Sequence, residues 1–460
     1  MKPTSVALAL ATLVSLNTSE AVAQDAETAA ELKAVMQQLQ QLQQRVIELE
    51  QKLAEQSDSA ATTTTTATTN ATANQQVEQV AARRQAKSSA LAARVERLEE
   101  DIQAAQNDPI RIGGAVRMQY KWEDYNDPLK DRGGDFEFDL VRIDYSGEIG
   151  DVVLSAQYRW FQYMDTVQHA WVGYNFSEQW QGQLGVTKVP FGITPYNSNS
   201  YFFSSNFYVG LEDDHDLGAK LLYRSSDWDF DVAFFKGDEM GGVNGLSPSK
   251  ADRYAYDALG VRLAGEGLYD DPTALVAESN SVALRAARKY DLAADKSVEI
   301  GASWQFGDMN NGTDNIGERQ AWAVHGVYNI NRWTLMGQVT QYDYDMELAE
   351  QGIVVGAYAY YDTIPSKATL YSANLAYSLP VQWGPVTDLT FYNDFSLMTN
   401  KRFYTEDTVM NVLGVAVSAG GLYTYFDLVT ARNQPFVGGS MSGDSKQTNT
   451  RFNVNIGYYF

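Results

Sequence analysis

The 460-residue sequence contains no cysteine and only three histidines. The absence of cysteine excludes a disulfide framework, thiolate metal sites and cysteine nucleophiles, and it suits a chain that crosses an oxidising compartment unfolded. Because the sequence also has no Gly-rich phosphate-binding loop and no His-Glu-x-x-His motif, we expect neither an enzyme nor a cofactor. Acidic residues outnumber basic ones by 58 to 35, and the net charge of −23 argues against nucleic acid as a partner.

The first 23 residues are typical of a secretory signal peptide. Lys2 supplies a positive charge, residues 6–16 form a mostly apolar core, and residues 21–23 (A-V-A) fit a cleavage site. This core is too short to anchor the chain in a membrane, and after it no stretch is apolar for long enough to form a membrane helix. The sequence therefore predicts an exported protein with a signal peptide at 1–23.

Residues 24–109 are expected to form a helical stalk in two parts. In residues 24–56, leucines and valines recur at alternating spacings of three and four, which predicts a coiled-coil segment. A weaker seam predicts a second helical segment at 77–109, and the Thr- and Ala-rich residues 57–76 predict a linker. Because the first seam is narrow, we expect it to associate with other copies; an amphipathic helix packed on a domain is the alternative.

From residue 110 to residue 460 the heptads give way to alternating apolar and polar residues. In 298–306, for example, Val, Ile, Ala, Trp and Phe alternate with Glu, Gly, Ser and Gln. Alternation over about ten residues matches the length and period of a transmembrane β-strand whose apolar face contacts lipid. A soluble β-sandwich also alternates, but it seldom places Trp and Tyr so often at the ends of the apolar rows.

The last segment, 451–460, alternates in the same way and ends on Phe460. This ending resembles the C-terminal signal that outer-membrane barrels present to their assembly machinery, so we expect that machinery and outer-membrane lipid as partners. With roughly twenty residues for each strand and its connection, residues 110–460 predict an all-β, antiparallel transmembrane barrel of about sixteen strands around an aqueous channel. Eighteen strands are the alternative, because residues 354–361 fit either a strand or an inward-folded loop.

In a channel, selectivity depends on the residues that face the lumen. Strand parity places a set of basic side chains there, where they avoid a cost of roughly 2–4 kcal/mol for a charge on the lipid face at the midplane. These side chains are Arg111, Arg117, Lys121, Arg142, Arg159, Arg262 and Arg285. They predict an anion pathway, because guanidinium groups can replace part of the hydration shell of a phosphate or carboxylate. The alternative is pairing with lumen acids such as Asp144 and Asp229.

Aromatic residues crowd the segment after Pro190, and the lumen is the nearest place where they can be buried. The candidates for lining a constriction here are Lys188, Tyr196, Tyr201, Phe203 and Tyr208. An aromatic lane for sugars is the alternative. The acidic run at 212–216 is interpreted as a solvated turn rather than as a divalent-cation site, so no metal is expected.

Two segments resemble the phosphate-selective porin O/P family. Residues 185–192 (GVTKVPFG) are similar to its G-x-x-K-x-P-F-G segment before a large loop, and residues 138–147 stand where members often read Arg-Arg-Ala-Arg. The paired basic residues of the family are absent from 138–141. The resemblance covers the barrel and the coiled coil. It implies a homotrimer with inward basic residues and a loop folded into the pore.

These features predict a passive pore for small hydrophilic solutes in the outer membrane of a Gram-negative cell, with its stalk in the periplasm. We expect the pore to favour anions such as phosphate or carboxylates. The alternative is a structural protein that tethers the membrane through the stalk, in which residues 24–109 would contact peptidoglycan.

Overall fold

The computed structural model describes residues 109–460, except residues 248 and 347. The predicted signal peptide, both helical segments and the linker lie outside the described residues. Twenty antiparallel β-strands account for most of the secondary structure. In chain order they are β1 (Ile110–Glu123), β2 (Asp135–Ile149), β3 (Val152–Phe161), β4 (Asp165–Asn175), β5 (Trp180–Lys188), β6 (His215–Arg224), β7 (Trp228–Asp238), β8 (Asp257–Val261), β9 (Ala274–Leu275), β10 (Ala277–Ala293), β11 (Lys296–Asn310), β12 (Asn315–Ile330), β13 (Trp333–Met346), β14 (Ile353–Ala357), β15 (Tyr360–Ile364), β16 (Lys367–Trp383), β17 (Val386–Thr399), β18 (Thr408–Ala419), β19 (Leu422–Arg432) and β20 (Asn449–Tyr459).

Sixteen of these strands form a closed barrel, and β8, β9, β14 and β15 do not belong to it. The barrel closes through β1 and β20, whose register runs from Ala115 opposite Tyr459 to Glu123 opposite Arg451. Closure leaves no unpaired strand edge in the wall, which a membrane interior demands because it offers backbone groups no water. The prediction of sixteen strands is confirmed.

The barrel wall has an apolar outer face and a polar inner face. On β11, Ile300 and Trp304 are 55% and 41% exposed, whereas Ser303 and Gln305 of the same strand are buried inside. Apolar side chains exposed in this regular way along the whole wall face lipid. The chain is therefore a transmembrane β-barrel, as its alternation predicts.

The two edges of the barrel differ in the length of their connections. Turns of two or three residues, such as 150–151, 225–227 and 384–385, lie at the edge where β1 begins and β20 ends. The long connections 189–214 and 239–276 lie at the opposite edge. In bacterial barrels the short turns face the periplasm and the long loops face the outside.

A short helix, α1 (Asp127–Asp131), follows β1 at the long-loop edge. Asn126 caps it, since its side-chain oxygen accepts a hydrogen bond from the Leu129 amide at 3.3 Å. Among the described residues, no helix combines the length and the apolar character needed to cross a membrane.

The four remaining strands form a second sheet, the inner sheet, in the order β15-β14-β8-β9. It is built from the connections after β7 and after β13, and Ile353 of β14 pairs with Val261 of β8. The ambiguous residues 354–361 thus form part of the β14–β15 hairpin of this sheet. Both residues of that pair are buried in one hydrophobic cluster with Leu211 and with Tyr342 of the wall, so the inner sheet packs inside the barrel.

We expect Val324→Arg to destabilise the barrel by roughly 2–4 kcal/mol, because Val324 is exposed on the lipid face near the middle of β12. Equilibrium unfolding in urea, with the protein folded into lipid vesicles, measures this loss. Asn329→Arg is the matched control, since it puts the same charge on the lumen face of the same strand and should cost much less. An equal loss in both variants would contradict the assignment of the two faces.

Candidate functional site

Residues 189–214, between β5 and β6, fold into the lumen and are called the inward loop. Where the loop enters the lumen, the Gly192 amide donates a hydrogen bond to Ser303 Oγ (3.0 Å), and Gly192 O accepts one from Arg285 Nε (2.8 Å). Gly192 has a φ of 61°, and a Cβ atom there would lie 2.4 Å from the side chain of Gln338. The last glycine of the G-x-x-K-x-P-F-G segment therefore allows the backbone to approach the wall.

The middle of the inward loop crosses to the opposite wall and is held there by carboxylates. Asp394 on β17 accepts hydrogen bonds from the Asn199 amide (2.7 Å), from Asn199 Nδ2 (2.8 Å) and from the Ser200 amide (2.8 Å). Asp427 on β19 accepts one from the Tyr201 amide (3.4 Å). Buried backbone N–H groups need acceptors, so these two wall carboxylates fix the path of the loop.

Aromatic rings fill the contact between the inward loop and the inner sheet. The rings of Phe203 and Phe207 stack with 4.2 Å between their centroids, and Phe207 meets Tyr256 edge-on at 5.6 Å. Tyr208 also packs on Tyr256, and its hydroxyl donates to Phe202 O at 2.8 Å. Tyr208 is predicted to line a constriction, but it is buried in this aromatic core, where it packs the inward loop against the inner sheet.

Three arginines lie side by side on the lumen face of β1, β2 and β3, and we call Arg117, Arg142 and Arg159 the arginine wall. In the strand register, Arg142 stands directly opposite Arg159. Like charges in directly opposed positions destabilise a sheet. The opposition of Arg142 and Arg159 therefore does not by itself stabilise the wall.

Two of the three arginines in the wall have carboxylate partners. Arg117 Nε lies 2.9 Å from Asp139 Oδ2, and an Arg142 amino group lies 3.0 Å from Asp144 Oδ2. Within residues 109–460 as described, Arg159 makes no ion pair with a carboxylate. It carries the uncompensated charge of the arginine wall.

Each guanidinium of the arginine wall lies against a tyrosine ring. The distances from the guanidinium carbon to the ring centroid are 5.4 Å for Arg117 over Tyr201, 5.2 Å for Arg142 over Tyr459 and 4.4 Å for Arg159 over Tyr254. Such contacts hold a guanidinium in one orientation while its N–H groups, which lie in its plane, can still donate hydrogen bonds. Arg159 uses its Nε for Gln157 Oε1 at 2.6 Å.

The other basic residues predicted to line the pore contribute less unpaired positive charge to the lumen than Arg159 does. Lys121 Nζ lies 2.7 Å from Glu137, and an Arg285 amino group lies 2.8 Å from Glu299. For these two residues, as for Arg117 and Arg142, the structure has the predicted alternative, pairing with lumen acids. Arg111 lies near the start of β1 and is exposed.

The prediction that Arg262 lines the pore from a barrel strand is wrong. Arg262 directly follows β8 of the inner sheet and is buried. Its Nε donates to Thr363 Oγ1 (3.0 Å), and an amino group donates to Asp270 O (2.9 Å). Strands of an inner sheet have the same two-residue period as strands of the wall, so periodicity alone does not separate them.

Lys188 ties the two ends of the inward loop together. Its Nζ donates to Asp213 Oδ1 (2.6 Å) and to Pro195 O (2.5 Å), and it lies 4.7 Å from the ring centroid of Tyr196. Burial alone would raise the pKa of Asp213, but the adjacent Lys188 ammonium holds this pKa below its ordinary value.

The prediction of a solvated acidic turn at 212–216 is wrong, because all five residues are buried. They end the inward loop and begin β6, so they lie inside the barrel. Glu212 accepts hydrogen bonds from the Asn197 amide (2.8 Å) and the Ser204 amide (3.1 Å). Burial raises the pKa of Glu212 to about 7, although these hydrogen bonds oppose the shift.

Sequence analysis did not identify the wall carboxylates Asp139, Asp394 and Asp427 as part of the site. The sequence does contain a pattern that could have identified them, since each is an acidic residue at a polar position of an alternating strand. Tyr254, which lies in the connection between β7 and β8, carries no comparable signal. Its contact with Arg159 arises only when that connection folds into the barrel.

No family model matches the chain, and no curated protein matches it. The resemblance to the phosphate-selective porins is therefore not confirmed. Solved structures similar to this chain include OmpF of Salmonella typhi in complex with daunomycin, with 12% identity and a TM-score of 0.48 over 76% of this chain and 97% of that one. The outer membrane channel DcaP of Acinetobacter baumannii has 11% identity and a TM-score of 0.46 over 76% of this chain and 97% of that one. The anion-selective porin from Comamonas acidovorans has 12% identity and a TM-score of 0.45 over 76% of this chain and 99% of that one.

All three TM-scores are below 0.5. The assignment to the transmembrane β-barrels is therefore based on the closed strand register of this chain and on its apolar outer face.

We expect Asp394→Ala to widen the lumen, because it removes the acceptor for three hydrogen bonds of the inward loop. Single-channel recording in planar bilayers should show larger and noisier conductance steps than the wild type. The control is Asp388→Ala on the same strand, since Asp388 accepts from Ser378 (2.8 Å) and Thr390 (3.0 Å) and, within the described part of the chain, makes no hydrogen bond with the inward loop. Unchanged steps from a correctly folded Asp394 variant would contradict this role.

Proposed function

We propose that the protein is an outer-membrane porin, a passive diffusion channel for small hydrophilic solutes with a preference for anions such as phosphate or carboxylates. The observation that carries the anion preference is the opposed pair Arg142 and Arg159, in which Arg159 has no carboxylate partner among the described residues. An anion passing this point can accept hydrogen bonds from guanidinium groups in place of water.

The preference is expected to be moderate. Asp139 and Asp144 offset the charges of Arg117 and Arg142 within the lumen. A single uncompensated guanidinium attracts anions without binding them tightly, and a channel conducts only when solutes can leave as readily as they enter.

Sugars are a less favoured solute class for this lumen. A sugar lane needs aromatic faces that are open to the solute. Phe203 and Phe207 instead stack on each other, and Tyr208 is buried against Tyr256.

We further propose that the barrel assembles as a homotrimer and that its last strand engages the barrel assembly machinery. Phe460 supports the second point, because its ring is exposed while its backbone closes the barrel on Gly114 (3.1 and 2.9 Å). We also propose that residues 24–109 lie in the periplasm and contact peptidoglycan.

The anion preference predicts that Arg159→Ala lowers the anion-to-cation permeability ratio several-fold. Reversal potentials in a salt gradient across a planar bilayer measure this ratio. Arg332→Ala is the matched control, since Arg332 lies in the short turn between β12 and β13, away from the arginine wall.

If the wild type passes cations faster, or if Arg159→Ala has the reversal potential of the wild type, the anion preference is wrong. If the folded wild type gives no ohmic conductance steps, the proposal that the protein is a channel is wrong. A structural protein that tethers the outer membrane is then the better-supported function.

A further inference from the structure

A cluster of buried carboxylates lies at the far end of the inward loop, outside the arginine wall. Asp214 ends the loop, Asp216 belongs to β6 of the barrel, and Asp257 begins β8 of the inner sheet. One carboxylate oxygen from each lies within 4.8 Å of those from the other two. The cluster therefore joins three separate parts of the fold.

Two oxygens of this cluster lack hydrogen-bond donors among the described residues. Asp214 and Asp216 are 3% and 4% exposed, and Oδ1 of each has no hydrogen-bond partner among the described residues. An ionised oxygen buried without a donor costs several kcal/mol. A positively charged ligand would stabilise two such oxygens beside a third carboxylate.

Glu239 is a fourth carboxylate at this place and gives an independent sign of a cation site. Its side chain is 6% exposed, and its Oε1 has no partner among the described residues. Arg253 contacts both Glu239 and Asp257, which places Glu239 beside the cluster. A bound cation can satisfy a buried carboxylate oxygen that has no donor and lies beside other carboxylates.

The neighbouring arginines do not balance these charges. Arg253 is fully buried, and it is shared between Asp257 (2.5 Å), Asp238 (3.2 Å) and Glu239 (3.4 Å). The other nearby guanidinium, that of Arg319, is already paired with the carboxylate of Glu278. Among the ion pairs of the described residues, none joins Asp214 or Asp216 to either arginine, so the carboxylates of the cluster outnumber the guanidinium groups beside them.

We propose that this cluster is a calcium site, with Asp214, Asp216 and Asp257 as ligands and Glu239 as a fourth. Calcium binds oxygen at about 2.3–2.6 Å, so two oxygens on one ion lie no more than about 5 Å apart. The spread of 4.8 Å fits this limit. Magnesium, at about 2.1 Å, needs oxygens no more than about 4.2 Å apart and would require the cluster to contract.

Such an ion would fasten the inner sheet to the barrel. Its ligands come from the end of the inward loop, from the wall and from β8. Removing the ion leaves mutual repulsion among the carboxylates, so the connection between β7 and β8, which contains Lys250, should loosen. This site is independent of the ion preference of the channel.

The experiment uses the full-length protein, folded in detergent, and titrates it with calcium chloride in a calorimeter. We expect about one calcium ion per chain, with a dissociation constant of about 10⁻⁴ M or tighter and weaker binding of magnesium. Asp216→Asn, which keeps the shape and removes one charge, should weaken calcium binding at least tenfold. Asp252→Asn, in the connection that contains Lys250, is the matched control and should bind as the wild type does.

Limited trypsin digestion at Lys250 gives a second measurement that does not depend on channel activity. Calcium should slow cleavage of the wild type at least tenfold relative to a chelator, and it should have little effect on Asp216→Asn. If Asp216→Asn does not fold, Asp214→Asn serves in its place.

The proposal is overturned if the wild type binds no calcium at millimolar concentration, or if the Asn variants bind it as tightly as the wild type. It is also overturned if lowering the pH protects Lys250 while calcium does not, because protons would then fill the role of the ion.

Discussion

The requirement that every backbone N–H and C=O in lipid has a partner within the protein governs this structure. An open sheet cannot meet it, so β1 and β20 must pair, and the wall becomes a closed cylinder of sixteen strands. Closure divides the side chains into two sets, one facing lipid and one facing the lumen. The arginine wall and the wall carboxylates are directed to the lumen, where their charges must be solvated or paired.

The lumen meets this demand differently on its two sides. On β1 to β3 the arginines are arranged in a row, and tyrosine rings hold their guanidinium planes. On β17 and β19 the carboxylates of Asp394 and Asp427 accept hydrogen bonds from the backbone of the inward loop. In the proposed function, the first arrangement supplies donors to an anionic solute. The second uses its charge to position the inward loop.

Much of the barrel could be predicted from the sequence, because the two-residue period, the length of the strands and the closure of the wall are all local or generic constraints. The same parity places Arg117 and Arg159 on the lumen face. Parity could not assign Arg262, since a strand of the inner sheet has the same period as a strand of the wall. Parity could indicate Asp144 as a partner for a lumen arginine, and Arg142 pairs with it two residues along the same strand. It could not show that Arg159 would have no carboxylate partner among the described residues, because that depends on the arrangement of the neighbouring strands and loops.

The inner sheet joins two connections that are far apart in the sequence, one after β7 and one after β13, through the ladder between β8 and β14. Neither connection can swing outward by itself without breaking that ladder. The two connections at the outer mouth are thus held together as one unit and do not move as independent loops. Antibodies or phages that recognise one of these two connections would meet a surface whose shape is maintained by the other.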